Sequence, residues 1–229
     1  PIACEHISRY AVEVERQRRP FDSADGALRA GIAARPILIG DTAVFDCSPG
    51  GDALGVKRGT SISEAIGLAR EQQCCRWTSR TTGTFDQVLD LLDGNRPEVE
   101  PGDVGTPYLS LVGLAQAPST SLAGLGSGLH RRHGSMAGVG IAGGKYAAHA
   151  ASQTTRPGLA KAVLPGEQAT FPAPMPAVTA HERPNSLAAA TPGIETIGGV
   201  ALLPLGAFRK QFGPQGERCW ELAGGRRGT

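Results

Sequence analysis

Two stretches of the chain decide its fold: Tyr108-Leu-Ser-Leu-Val-Gly-Leu114 and Val139-Gly-Ile-Ala-Gly-Gly-Lys-Tyr-Ala-Ala148. The first alternates as a half-buried strand does, with Tyr108 and Ser110 on one face and the leucines on the other. The second is a short apolar strand that passes through two glycines into a helix of small residues. Together they predict two strands and a helix, and neither stretch contains an acidic residue.

Elements predicted around these stretches complete an α+β pattern. Strands are predicted at 2–7, 36–40, 43–46, 108–114 and 139–141. Helices are predicted at 10–18, 61–69, 84–92, 145–152, 197–203 and 205–212. Ser61 caps the second helix, and Glu64 follows three residues later, which is the capping-box spacing. Seven prolines between residues 157 and 192 predict a linker or irregular region.

Composition limits the class of protein. Hydrophobic residues make up 40% of the 229 residues and charged residues 19%, which indicates a globular chain. No apolar run approaches the ~20 residues that span a membrane, and no secretion signal is visible. The five cysteines are odd in number and include no Cys-x-x-Cys pair, which argues against a disulfide framework or a zinc site. We therefore expect a reducing, cytoplasmic setting and no membrane partner.

Charge is distributed unevenly along the chain. Residues 1–103 hold 16 acidic and 12 basic residues, whereas residues 104–229 hold 5 acidic and 11 basic residues. The stretch from 104 to 166 contains no acid and includes Arg131 and Arg132. A one-signed stretch of this kind suits a nucleic-acid phosphate backbone. It is equally the composition of a solubilising face, so the charge pattern leaves both interpretations open.

Five segments in order carry a resemblance to a known family. They are 2–15, 46–59 (ending in Gly-Val-x-x-Gly), 100–114, 139–145 (Val-Gly-Ile-x-x-x-Lys) and 194–225. The segments are spread over nearly the whole chain. In them the chain resembles the Y-family (translesion, UmuC-like) DNA polymerases. It looks closest to the ImuB-like branch, whose members keep the polymerase frame but have lost catalytic carboxylates.

The resemblance implies a domain plan. Residues 1–20 and 79–156 would form a palm, with fingers inserted at 21–78. Residues 157–229 would form a linker and a small helical thumb of the helix-hairpin-helix type. We expect the little finger of the family to be absent from this chain.

The resemblance also points to positions where catalytic acids are missing. Active members place an Asp on the first strand and an Asp-Glu pair on the palm hairpin, where they hold two Mg²⁺ ions. In this chain those positions are His6, Gly105 and Thr106, called the acid positions below. None offers a carboxylate, so no catalytic residue, metal or cofactor is expected. The alternative is a displaced metal site built from Asp103, Glu5 and Glu100, and Mg²⁺ is expected only in that case.

Other family positions concern nucleotide and DNA contacts. The Tyr and Arg that contact the incoming triphosphate fall at Pro49 and Asp52, and only Lys145 remains of the nucleotide-contacting set. An acid at Asp52 would repel a triphosphate. In the thumb, glycines beside helix ends and adjacent cations predict a sequence-independent phosphate clamp. Its residues are Gly206, Arg209, Lys210, Gly213 and Gly216, and the competing interpretation is a helix pair with glycine caps.

These observations favour a non-catalytic Y-family homologue that acts as a DNA-binding accessory factor in DNA repair and translesion synthesis. DNA is the expected partner, together with replication or repair proteins. Two alternatives stay open. One is an active translesion polymerase fragment that uses the displaced acids, and the other is a protein-interaction scaffold that does not bind DNA.

Overall fold

The computed structural model describes residues 1–18, 37–69, 74–76, 80–93, 98–112, 137–175 and 193–225. The chain divides into two compact units. The first comprises Pro1–His6, Arg96–Glu100 and Thr106–Thr229, and the second comprises Ile7–Asn95 and Pro101–Gly105. The elements are β1 (Ile2–Ile7), α1 (Tyr10–Arg18), β2 (Ile37–Ile39), β3 (Val44–Cys47), α2 (Pro49–Ala53), α3 (Ile62–Ala69), β4 (Cys74–Arg76), α4 (Arg80–Asp93), β5 (Val99–Pro101), β6 (Pro107–Ser110), β7 (Ala137–Ala142), α5 (Lys145–Thr154), β8 (Ala160–Ala162), α6 (Ile197–Ala201) and α7 (Leu205–Ala223).

The first unit is built on a five-stranded sheet in the order β5-β6-β1-β7-β8. Strand β1 runs antiparallel to β6, with Ala3 opposite Leu109, and β7 runs parallel to β8, with Val139 opposite Ala160. Ala3, Leu109 and Val139 are buried. Burial alternates along β6, whereas consecutive residues are buried in β1 and β7, so both faces of these two strands are covered. This antiparallel register places the C-terminal end of β1 beside the start of β6.

Helix α5 lies unusually close to strand β7. A side chain on Gly140 would meet the backbone oxygen of Ala148 at 1.9 Å, and one on Gly138 would meet that of Ser152 at 2.6 Å. On the helix, Ala148 and Ala151 are fully buried. The glycines of β7 and the alanines of α5 thus face each other with little or no side chain, which lets the two backbones approach closely.

The helices α6 and α7 pack on the same unit. Ile197 and Ala223 form a buried cluster with Ala150 of α5 and with Met175. The Trp220 Nε1–H donates to the Leu203 carbonyl oxygen at 2.9 Å, which ties the second half of α7 to the turn before it. Gly213 interrupts α7 with φ 63° and ψ −154°, so α7 is two helical segments joined at a kink.

The second unit contains a three-stranded sheet in the order β3-β2-β4. Strand β2 runs antiparallel to β3 and parallel to β4. Its buried core joins β3 to α3 and consists of Val44, Cys47, Val56, Ala65 and Ala69. The Tyr10 and Phe85 rings meet edge to face at 5.7 Å, which packs α1 on α4.

The predicted α+β class is confirmed, and most elements lie where their patterns placed them. The predicted cap is present, since the Glu64 N–H donates to Ser61 Oγ at 3.3 Å. The region from 157 to 192 was expected to be irregular, yet it contains strand β8, whose order comes from pairing with β7 rather than from local sequence. Helix α4 begins at Arg80 rather than Thr84, and β6 ends at Ser110.

Two further outcomes concern the thumb-like region and the membrane. Helix α6 ends at Ala201. The first segment of α7 ends at Phe212, as predicted, because Gly213 has non-helical backbone angles, and a second segment that the sequence did not predict continues to Ala223. Among the described residues, no helix combines the length and apolarity needed to cross a membrane. The boundaries assigned to palm, fingers and thumb, and the absence of a little finger, stay predictions.

Candidate functional site

The acid positions in the first unit hold an imidazole and a hydroxyl group. His6 lies near the end of β1 and Thr106 just before β6, and Thr106 Oγ1 lies 3.5 Å from His6 Nδ1, the outer limit of a hydrogen bond. The His6 ring meets the His149 ring edge to face at 5.8 Å. His149 is buried, and its Nε2 lies 3.2 Å from Gln153 Nε2. Side-chain contacts therefore link His6 and Thr106 to His149 and Gln153.

The third acid position, Gly105, is constrained by its backbone. Its φ is +86°, a left-handed conformation that L side chains rarely adopt. A Cβ at this position would lie 2.6 Å from Tyr10 Cβ and 3.3 Å from the Ile7 carbonyl oxygen. The Ile7 N–H donates to the Gly105 carbonyl oxygen at 2.9 Å, which holds the turn in place. The local structure of the second unit thus excludes a side chain where the resembled family carries an Asp.

Of the three acids proposed for a displaced metal site, two form ion pairs and the third is buried. In the first unit Glu100 forms an ion pair with Lys145, and Glu5 is 1% exposed. In the second unit Asp103 Oδ2 lies 3.3 Å from Arg58 Nη2. No group of three or more His, Cys, Asp or Glu side chains that could hold a metal occurs in the described part of the chain. Mg²⁺ takes octahedral oxygen ligands, chiefly carboxylates and water, so the residues at the acid positions do not fit this ion.

Lys145 is the first residue of helix α5, and its side chain contacts two residues of the first unit. Besides its ion pair with Glu100, its Nζ lies 5.7 Å from the centroid of the Tyr108 ring, within cation–π distance. The cation that the resemblance assigns to nucleotide contact thus has a partner within its own unit, although both side chains remain partly exposed. Lys145 therefore joins β5, β6 and α5 in this structure.

The two triphosphate positions of the second unit lie in the short helix α2. Pro49 is its first residue, Ser48 Oγ accepts from the Gly51 N–H at 3.3 Å, and Asp52 follows in the first turn. The Arg9 guanidinium forms an ion pair with Asp52 and also donates to the Cys47 carbonyl oxygen. Both partners of the ion pair belong to the second unit.

The Asp52 carboxylate is stabilised in its charged form. Burial opposes ionisation, but hydrogen bonds from Arg9 and from the Cys47 thiol outweigh it and hold the pKa of Asp52 below its usual value. Burial, with the charges of Asp52 and Asp46, raises the pKa of the Cys47 thiol to about 12. Cys47 therefore stays a neutral thiol, and its one hydrogen can be donated to Asp52 Oδ1 at 3.2 Å or to the Val56 carbonyl oxygen at 3.3 Å.

The predicted DNA-binding residues of the thumb-like region lie on α7. Gly206, Arg209 and Lys210 are exposed, and Arg209 Nε lies 3.3 Å from Glu217 Oε2 across the Gly213 kink. Gly216 is buried, and a Cβ there would lie 2.5 Å from Phe212 Cβ. The glycine at 216 is thus explained by packing within α7. Arg131 and Arg132 lie outside the described residues.

Arg9 and His149 are the site residues that the sequence did not single out. Arg9 has φ 55°, the only positive φ of a non-glycine residue in the described ranges, and nothing in the sequence specifies that conformation. His149 is central to the helix 145–152 that the sequence did predict. Its neighbourhood of buried alanines on α5 was the available indication that it points into the core.

Comparison with known proteins supplies a family context. No family model matches the chain. The DNA polymerase IV of Dehalococcoides mccartyi (strain CBDB1) is 25% identical over 210 residues, covering 84% of this chain and 52% of that protein. The chain therefore spans about half the length of this curated relative.

Solved structures match the fold. DinB from Sulfolobus solfataricus superposes with a TM-score of 0.71 at 15% identity, covering 97% of this chain and 66% of that one. An insertion ternary complex of Dbh DNA polymerase gives 0.68 at 16% identity, and a Y-family DNA polymerase chimera, Dbh-Dpo4(243-245)-Dbh, gives 0.68 at 15%; both have the same coverage. In fold and in sequence the chain is therefore similar to the DinB-type, Y-family DNA polymerases, which confirms the resemblance carried by the five ordered segments.

Proposed function

We propose that the chain is a non-catalytic homologue of the Y-family polymerases, of the ImuB-like kind, that binds DNA as an accessory factor in repair and translesion synthesis. The observation that carries the proposal is the state of the acid positions. His6 and Thr106 contact each other there, and Gly105 adopts a left-handed conformation against Tyr10. We also propose the cytoplasm as its setting and replication or repair proteins as further partners.

The loss of catalysis follows from the chemistry of phosphoryl transfer. Metal ions neutralise the developing charge and orient the reacting oxygens, and carboxylates are what hold them. An imidazole, a glycine and a hydroxyl cannot replace an Asp and an Asp-Glu pair. The nearby acids do not compensate, since Glu100 is paired with Lys145 and Asp103 with Arg58.

DNA binding rests on different features from those that argue against catalysis. Solved neighbours of the same fold include ternary and binary complexes of Dbh DNA polymerase. On α7 the exposed Arg209 and Lys210 stand beside the Gly213 kink, and the half of the chain from 104 to 229 is basic. Such contacts reach phosphate oxygens and carry no sequence information.

A primer-extension assay tests the non-catalytic role. With Mg²⁺ or Mn²⁺ and all four deoxynucleoside triphosphates, the protein is expected to extend no primer above the background of a no-enzyme reaction. Extension that disappears in the Asp103→Ala variant would instead support the displaced metal site. Extension that survives that substitution would equally refute the proposal.

A salt titration of DNA affinity tests the binding role. Each lost phosphate contact lowers the slope of log affinity against log salt by roughly one, so replacing Arg209 and Lys210 by Ala should lower it by about two. The matched control is the Lys57→Ala/Arg58→Ala variant, which removes the same charge from exposed positions in the acidic half of the chain. An equal effect in both variants would mean that α7 is not a clamp. No binding by the unmodified protein at low salt would favour the protein-interaction scaffold.

A further inference from the structure

Arg9 combines a left-handed backbone with two hydrogen bonds from its guanidinium. Its φ of 55° places an arginine in the left-handed region, which costs free energy unless the surroundings compensate. The guanidinium reaches across to the segment that follows β3, where it donates to the Cys47 carbonyl oxygen and to Asp52 Oδ2. The turn between β1 and α1 is therefore joined to α2 by one side chain.

Asp52 receives two donors at once. Arg9 Nη2 binds one carboxylate oxygen, and the Cys47 thiol lies 3.2 Å from the other. Its side chain nevertheless remains 43% exposed, so solvent and dissolved ions reach it. The carboxylate thus sits at an accessible surface with both of its oxygens already engaged.

Other cations surround this carboxylate. Lys57 acts on Asp52 through its charge, and Arg58 acts in the same way on the neighbouring Asp46. Asp46 in turn accepts from the Val12 N–H at 3.3 Å and from the Cys47 N–H at 2.9 Å. Arg58 is also paired with Asp103, so three cations face three carboxylates of the same unit. Removing the Asp52 charge would leave three cations against two carboxylates, an arrangement that attracts an anion.

We propose that Arg9 and Asp52 form an intramolecular latch, in which the chain's own carboxylate occupies the polyphosphate position of the second unit and keeps dissolved polyphosphate out. The resemblance assigns a triphosphate-contacting arginine to position 52, and here an acid stands there and holds an arginine supplied by another segment. The latch rests on the proposed non-catalytic role and adds a second cause to it. It blocks the nucleotide position by a mechanism separate from the loss of metal-binding carboxylates.

Titration with inorganic tripolyphosphate tests the latch. Binding is measured by calorimetry in metal-free buffer at low salt, on the intact chain, for the unmodified protein and for Asp52→Asn. The substitution keeps the shape of the side chain and removes its charge, so Arg9 can turn to the anion. The affinity of Asp52→Asn is expected to rise by about tenfold, the scale of one charge-assisted contact.

Two further variants identify the cause of any gain. Asp90→Asn changes the net charge equally at an exposed position on α4 and is expected to leave the affinity at the unmodified level. Arg9→Ala/Asp52→Asn should lose the gain, because Arg9 supplies the contact. The proposal is overturned if Asp52→Asn and Asp90→Asn behave alike, if the gain survives loss of Arg9, or if the unmodified protein already binds tripolyphosphate as tightly.

Folding of the variants is followed by circular dichroism, with Asp52→Ser as a second replacement. The Asp52 side chain is nearly half exposed, so both variants are expected to fold; unfolding of both would show a structural role and overturn the latch. The test is separate from that of the proposed function. Primer extension by the unmodified protein would refute the non-catalytic role, whereas the tripolyphosphate titration alone decides the latch.

Discussion

Replacing Gly140 by Ala should destabilise the first unit severely. The new Cβ would lie 1.9 Å from the Ala148 carbonyl oxygen, 2.4 Å from the Ser152 nitrogen and 2.8 Å from Ala151 Cβ. Two of these three atoms are helix backbone, so no side-chain rotation relieves the contact and α5 must move away from β7. Overpacking typically costs about 1–3 kcal/mol, and a rigid backbone obstacle places this change at ~3–5 kcal/mol.

Urea unfolding followed by circular dichroism measures this loss. A matched control is Gly206→Ala in the same unit, because a Cβ at Gly206 meets no heavy atom of the described residues within 4 Å. In the helix α7 that change should leave stability unaltered or raise it by about 0.5–1 kcal/mol. If Gly140→Ala lost less than ~1 kcal/mol, the close approach of α5 to β7 would be refuted.

Three further predictions concern the site and the packing around it. Restoring Asp, Asp and Glu together at the acid positions should not produce primer extension, because a side chain at 105 clashes with Tyr10; extension by the triple variant would contradict this account. Trp220→Phe should cost ~1 kcal/mol in urea unfolding by removing the hydrogen bond to Leu203, and an unchanged midpoint would show that this bond contributes nothing. Burial raises the pKa of Cys4 to about 12, and burial with nearby carboxylates does the same for Cys47, so the folded state disfavours their thiolates. Stability from these thiols is complete below the unfolded pKa of roughly 8.5 and is lost as pH rises from there toward 12. Urea midpoints between pH 7 and pH 10.5 should therefore fall, and less steeply in Cys4→Ala.

Elements defined by local patterns could be predicted from the sequence. The period of apolar residues placed α3, and a run of small residues placed α5. The capping position of Ser61 was confirmed by the hydrogen bond that the Glu64 N–H donates to it. Strand β8 could not be predicted, because its three residues between prolines gain order only by pairing with β7. Local propensity carries no information about such a tertiary pairing.

At the candidate site, too, local sequence could be read in advance but tertiary contacts could not. Residue identities alone indicated that His6, Gly105 and Thr106 supply no carboxylate. Which groups replace the acids depended on geometry, since the His6 contact with His149 joins residues 143 positions apart in sequence. The Arg9 ion pair could not be predicted either, because no sequence pattern indicates an arginine in the left-handed conformation.

The left-handed turn at Gly105 also bears on evolutionary history. A lineage that loses a catalytic acid by a single base change can regain it by the reverse change, provided the backbone has kept its shape. Here the backbone at Gly105 has a conformation that only glycine adopts readily, and Tyr10 fills the space where a side chain would go. Reversion at this codon alone would lower stability before it restored any activity, so selection would remove it. Under the proposed non-catalytic role, the turn would act as a one-way step, because an acid restored at Gly105 alone would have to displace Tyr10.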